Sequence, residues 1–346
     1  MGKSAITLVL ISITMGIVSG DPKTKSSLPD DPVQHAWEEK QLENYLGYEN
    51  CRKCHQQQVD KLITTQHFKS FETTHRFHKA KAFCRELGIR SIKRDARCIR
   101  CHYTPEESTR GIRAQSGISC ESCHGPSKNW IKGHNNYGGL LVTKARESID
   151  HRNFRIESSI ENGMRHPSNL YLLARSCYEC HLVDDAELVN VTAHPPISDG
   201  FNMVAWSQGS MRHNFLRTDQ KSNAKSSPQR LQVMFVVDLM AKLEATLKSI
   251  SKSKPESNHY RFMNDQYITT AKKLLDISGK VSNQQINQVV EILKNTPPAS
   301  EPEVNIKAAR QIQNIAFEFG KNESAHQLDA IQALSLIHIS EPTRPY

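Results

Sequence analysis

Apolar positions fall at helical spacing over the last third of the chain and almost nowhere before it. From Leu231 to Ile250, Leu, Val, Met, Phe and Ile recur on the i, i+3, i+4 rhythm with Lys and Glu between them, which predicts an amphipathic helix. Residues 267–281, 284–295 and 303–320 repeat the pattern, with Pro297 and Pro298 closing the second of these and Gly320 the third. SKSKPESN, residues 251–258, reads as a loop after the first helix. The expectation is a small helical domain over 228–330, arranged as helical hairpins. One more apolar run, Ala5 to Val18, follows a single Lys and ends in small residues at Gly20. It predicts an export signal over 1–20, too short for a comfortable membrane span, with 21–44 as a linker and no integral span once the signal is removed.

Between these regions, from Glu39 to about Thr218, the chain is dense in Cys, His, Gly and Pro and has few long periodic segments. It writes Cys-x-x-Cys-His four times, at Cys51, Cys54 and His55, at Cys98, Cys101 and His102, at Cys120, Cys123 and His124, and at Cys177, Cys180 and His181. Two thiols one helical turn apart can each form a thioether to the same porphyrin, and the next residue, His, then lies under the iron. Zinc and exported disulfides also use paired cysteines, but neither demands His after every second one. With 16 His in 346 residues, four such coincidences have a chance of roughly 5 in a million. The motifs therefore predict four covalently attached haem c groups. Eight of the nine Cys are consumed, leaving Cys84, which reads as a small buried apolar residue or a free thiol.

A formal charge of +9 would ordinarily suggest an anionic partner. About eight haem propionates would bring the loaded protein much nearer neutrality, and no nucleic-acid motif accompanies the charge, so nucleic acid is set aside. With four haems in residues 45–220, little peptide is left for a conventional core, and Phe68, Phe71, Trp130, Tyr171, Leu172, Leu173 and Tyr178 are expected against porphyrin. The tail LSLIHISEPTRPY, 334–346, looks like a translated sequencing adapter and is kept out of the fold reasoning.

Beyond the motif histidines, His67, His75, His78, His134, His151, His166, His194 and His213 are candidates for the second axial position. On a helix, His67 would stand on the order of 18 Å from His55, too far to share its iron. The same argument sends His134 away from the iron on His124.

Gly117 to His134, GISCESCHGPSKNWIKGH, resembles the tetrahaem cytochrome c-554 family, as do CRKCHQQQVDKLITTQH, CIRCH and CYECH. The resemblance spans roughly 47–213 and implies a mainly α fold with extensive loops around a haem stack. It further implies that His134 serves the haem on His55, His67 that on His124, and His213, in preference to His194, that on His181. The haem on His102 would be five-coordinate, although His75, His78 and His166 stand near it in sequence. The expected function is a periplasmic electron carrier between a redox donor and acceptor, which the family links to nitrogen-compound oxidation. Two alternatives are a reductase of a small nitrogen oxide at an open haem, and a haem-bearing subunit that docks to a respiratory complex through an exposed stripe on Leu231 to Ile250.

Overall fold

The computed structural model describes residues 39–197, 201–297, 300–321 and 327–336. The expected signal and most of the linker lie outside these, as does the adapter-like tail after Leu336. The chain is mainly helical. In order come α1 (Tyr48–Arg52), α2 (Gln56–Leu62), α3 (Gln66–Thr73), α4 (His78–Glu86), α5 (Ala96–His102), strands β1 (Thr104–Ser108) and β2 (Gly111–Ser116), α6 (Cys120–His124), α7 (Ile149–Glu161), α8 (Leu170–His181), α9 (Ala186–Thr192), α10 (Met203–Gln208), α11 (Pro228–Lys252), α12 (Asn258–Ser278), α13 (Gln284–Lys294), α14 (Pro302–Gly320) and α15 (Gln332–Leu336). The linker ends earlier than its polar composition implies, because Glu39–Asn44 forms a 3-10 turn that buries Leu42.

Helix α11 is the axis of the larger core. Pro228 at its first turn and the Ser227 hydroxyl, which accepts from the Arg230 amide, start it. Of its 25 residues 18 are buried, because α8, α10, α12, α14 and α15 pack around it. The apolar stripe on which a docking role would rest is therefore covered from within the chain.

That core begins before the helical domain expected from sequence. Leu170, Tyr171, Ala174 and Tyr178 of α8 share one hydrophobic cluster with Leu239, Leu243, Ile312 and Phe319. The Tyr178 hydroxyl donates to Asp238 Oδ1 at 2.6 Å, and the Tyr171 hydroxyl donates to Glu244. These side chains, expected against porphyrin, are committed to α11 instead. The fourth motif is thus anchored in the C-terminal core.

The first three motifs have no comparable support from apolar side chains. Their own buried cluster is Ile92, Ile99 and Tyr103, with Phe71 and Cys84 packed against it. The hairpin β1–β2 joins the second motif to the third. Its strands, TPEES and GIRAQS, lack the alternation that marks a half-buried strand, so sequence pattern does not announce it. Gly117 follows at a close approach, where a Cβ would meet the Phe68 carbonyl oxygen at 2.0 Å. That closeness lets the Ile118 amide donate to the His67 carbonyl and pins α3 to the third motif.

Candidate functional site

Each motif sits at a helix end. His102, His124 and His181 are the last residues of α5, α6 and α8, and His55 precedes α2 as its cap. One helical turn puts both thiols of a motif on the same side, with the imidazole next in line.

In the second, third and fourth motifs, residues between the cysteines tie one motif to another. Glu121, within the third motif, is buried and accepts from the backbone amides of Leu46 at 2.9 Å and Gly47 at 2.7 Å, and from the amide and hydroxyl of Ser127. It thereby ties the chain just ahead of the first motif to the third. Glu179, within the fourth motif, pairs with Arg165 at 3.0 Å, while Arg165 also donates to the Ser122 carbonyl in the third. Arg100, within the second, offers its carbonyl to the Cys180 thiol at 3.4 Å, and the Cys101 thiol contacts the Glu179 carbonyl. The motifs therefore follow one another in space as first, third, fourth, second. Acidic residues inside otherwise free motif positions were the signal for this, and sequence reasoning passed over Glu121, Arg165 and Glu179.

Four histidine pairs stand out. The ring centroids of His55 and His134 are 6.2 Å apart, those of His67 and His181 5.8 Å, of His102 and His194 6.3 Å, and of His124 and His213 6.3 Å. An imidazole nitrogen lies ~1 Å from its centroid and ~2 Å from a bound metal, so two rings sharing one iron stand about 6 Å apart. Every pair combines one motif histidine with one outside the motifs. His134 faces His55, as the family resemblance implies. His67 and His213 exchange places relative to that implication, because α3, held by Ile118 and Ser70, delivers His67 to α8. His194, there the second choice for His181, faces His102 instead.

Burial keeps four of these rings in the ligating form. Burial alone lowers His67 to about 4, and burial is the leading cause that brings His102 and His124 to about 4 and His181 to about 3. All are neutral imidazoles at pH 7, with a lone pair to give. Second partners fix which nitrogen gives it. Nδ1 of His134 bonds the Ile131 carbonyl at 2.7 Å, that of His194 the Pro195 carbonyl at 2.9 Å, and that of His213 the Met211 carbonyl at 2.6 Å. Each places the proton on Nδ1 and leaves Nε2 for a metal. Trp130 packs edge-on to His134 at 5.3 Å, and Phe201 stacks on His181 at 4.0 Å.

The remaining histidines are placed differently. His78 is exposed, His151 pairs with Glu147 at 2.8 Å, and His166 bonds Ser168 Oγ beside His134 and Arg155. His75 Nδ1 is buried without a hydrogen-bond partner. Cys84 lies in the small apolar cluster, the bland reading of a leftover cysteine.

The donor set fits haem better than a bare ion. No disulfide joins any of the nine cysteines, and among the described residues no three His, Cys, Asp or Glu side chains converge as a cage. Two opposed imidazoles suit an iron whose other four ligands come from a porphyrin, with the adjacent thiol pair to anchor its edge. No helix among the described residues is long and apolar enough to cross a membrane.

Comparison with known proteins agrees with this chemistry over the first three motifs. Residues 50–125 match the family described as "Cytochrome c554 and c-prime". The chain is also similar to cytochrome c-554 of Nitrosomonas europaea, with 29% identity over 112 residues, which is 30% of this chain and 48% of the relative. The chain thus spans about half the length of that relative. No solved structure matches. The likeness of residues 50–125 is to a family of haem-bearing c-type cytochromes, and the fourth motif with its anchoring core lies beyond the matched stretch.

Proposed function

We propose that this chain is a tetrahaem c-type cytochrome that passes electrons between redox proteins in the periplasm. The four opposed histidine pairs, each with one member in a Cys-x-x-Cys-His motif, carry the reading. Cys51 and Cys54, Cys98 and Cys101, Cys120 and Cys123, and Cys177 and Cys180 would hold the porphyrins. His55, His102, His124 and His181 would bind the irons from one side. Bound haem c supplies a one-electron iron couple at each site. The chain contributes the rest. His134, His67 and His213 offer a second imidazole opposite the motif histidines of the first, fourth and third sites, so the ligand field changes little between oxidation states. Glu121 and the Arg165–Glu179 pair hold neighbouring motifs in contact, which keeps the path between sites short and rigid. Export is supported by the apolar run Ala5 to Val18 and by the chemistry of haem attachment, which takes place outside the cytoplasm.

The test is expression in a host with the c-type maturation machinery, followed by intact-mass and pyridine haemochromogen analysis. Four haems per chain, and a reversible redox titration that accounts for all four, are expected. A chain that matures with fewer haems, or that takes zinc at the thiol pairs, overturns the reading.

A further inference from the structure

We propose that His194 closes the sixth position of the iron held by His102, so that the second site is bis-histidine like the other three and has no open position for a small ligand. This rests on the four motifs binding haem c. His102 and His194 stand 6.3 Å apart between centroids, inside the narrow range that the other three pairs define. His194 also carries the same proton arrangement as His134 and His213. Its Nδ1 is occupied by a backbone carbonyl, here that of Pro195, and Nε2 remains for the metal.

The arm that presents His194 is built to stay in place. Asp185 caps α9 by accepting from the Leu188 amide, and Arg97 of α5 reaches Asp185 at 2.9 Å and Glu187 at 2.7 Å. The helix that precedes His194 is thereby clipped to the helix that ends in His102. After Thr192, Ala193 takes a left-handed conformation with φ 57°, which turns the chain back, and the Thr192 hydroxyl accepts from the His194 amide. Beyond the ring, the Val183 amide donates to the Pro196 carbonyl at 2.9 Å, and Leu182 and Ile197 form an antiparallel bridge. His259 of α12 fastens the same arm from the core side. Its amide donates to Asn190 and its Nε2 meets the Val183 carbonyl at 2.8 Å. Phe83 of α4 closes the flank of the ring at 5.6 Å. A loop pinned before and after the imidazole has little freedom to withdraw it.

Two of the other candidate histidines lie away from this site. His166 lies beside His134 and His124, at the other pair of motifs, and His78 is exposed. His75 lies on the 3-10 turn Thr74–Arg76 that precedes α4, beside Lys93, Phe71 and Tyr103, and is the rival that the test below includes.

The haem-loaded full chain is examined by electron paramagnetic resonance and near-infrared magnetic circular dichroism in the ferric state, and by carbon monoxide binding when reduced. The expected result is four low-spin bis-histidine irons and no carbon monoxide uptake by the unaltered protein. His194→Ala should convert one haem in four to high spin and open it to carbon monoxide, whereas His78→Ala should change nothing. His194→Met, which keeps a ligand and so protects against loss of folding, should leave the iron low-spin. It should also add the methionine-to-iron charge-transfer band and raise one of four potentials. A high-spin haem in the unaltered protein that His194→Ala leaves unchanged overturns the proposal, as does conversion by His75→Ala in place of His194→Ala. A haem count below four would instead break the reading on which the proposal rests, and the count is taken on the same sample.

Discussion

The two halves of this chain solve the problem of burial in opposite ways. Around α11, Leu, Val, Met and Phe from six helices fill a single core that includes Leu243, Ile312 and Phe319 at 0% exposure. Around the first three motifs the connected apolar cluster has three members, Ile92, Ile99 and Tyr103, other buried apolar side chains such as Val59, Ile118 and Trp130 stand outside it, and the polar Glu121, Ser119 and Thr104 are buried as well. The first half has only a small connected core of its own. The difference teaches that α8 is the seam, one face on α11 and its last turn in the fourth motif.

The strongest way to break this contrast is to withhold haem. Chain produced without the maturation machinery should lose protection from about residue 45 to 165 in hydrogen exchange and limited proteolysis, while α8 and α11 to α14 remain protected. Uniform protection or uniform collapse would show that the halves are not independent in this sense. A smaller effect separates hydrogen-bonded from apolar support. Glu121→Gln sets an amide against backbone donors that now meet a buried carboxylate, and should cost about 3 kcal/mol in denaturant melts of the loaded protein. It should also loosen the contact between the first and third motifs, read as increased exchange at Leu46 and Gly47. The smallest effect lies in the apolar half and depends on pH. Burial raises Asp238 to about 6 despite the bond from Tyr178. Its folded value stands above the unfolded one, so this group's stabilisation is complete below about pH 4 and is lost as pH rises through about 6. Asp238→Asn keeps an acceptor for Tyr178 and should raise stability by about 1–3 kcal/mol at pH 7, with no gain at pH 4.

Much of the apolar half is legible from periodicity, and the limits of that legibility are instructive. The helices expected over 231–250, 284–295 and 303–320 correspond closely to α11, α13 and α14. Helix α12 starts nine residues earlier than its apolar rhythm, at Asn258, because the Ser257 cap and buried His259 and Met263 extend it through a polar stretch. In the motif-bearing half, the motifs are local and therefore readable, while the pairing of His67, His194 and His213 depends on where α3, α9 and the segment after α10 are delivered. The structure gives His67 to His181 and His213 to His124, and neither follows from spacing along the chain. Nor could spacing reveal that Tyr171 and Tyr178 serve α11, since a porphyrin face and an apolar helix ask for the same residues.

The order of the histidine pairs has a consequence for how the chain comes together. Read from the amino end, the first members are His55, His67, His102 and His124, and the second members follow in the same sequence, His134, His181, His194 and His213. Every loop therefore overlaps every other, and each spans roughly 80 to 115 residues, so no site can be finished from a local stretch. The first closure bears most of the entropic cost and shortens the path for the next three. On the proposed reading, a nascent chain emerging amino end first would display four half-built sites before any could be completed, and it should then lock them together in a slow, cooperative step governed by long-range contacts.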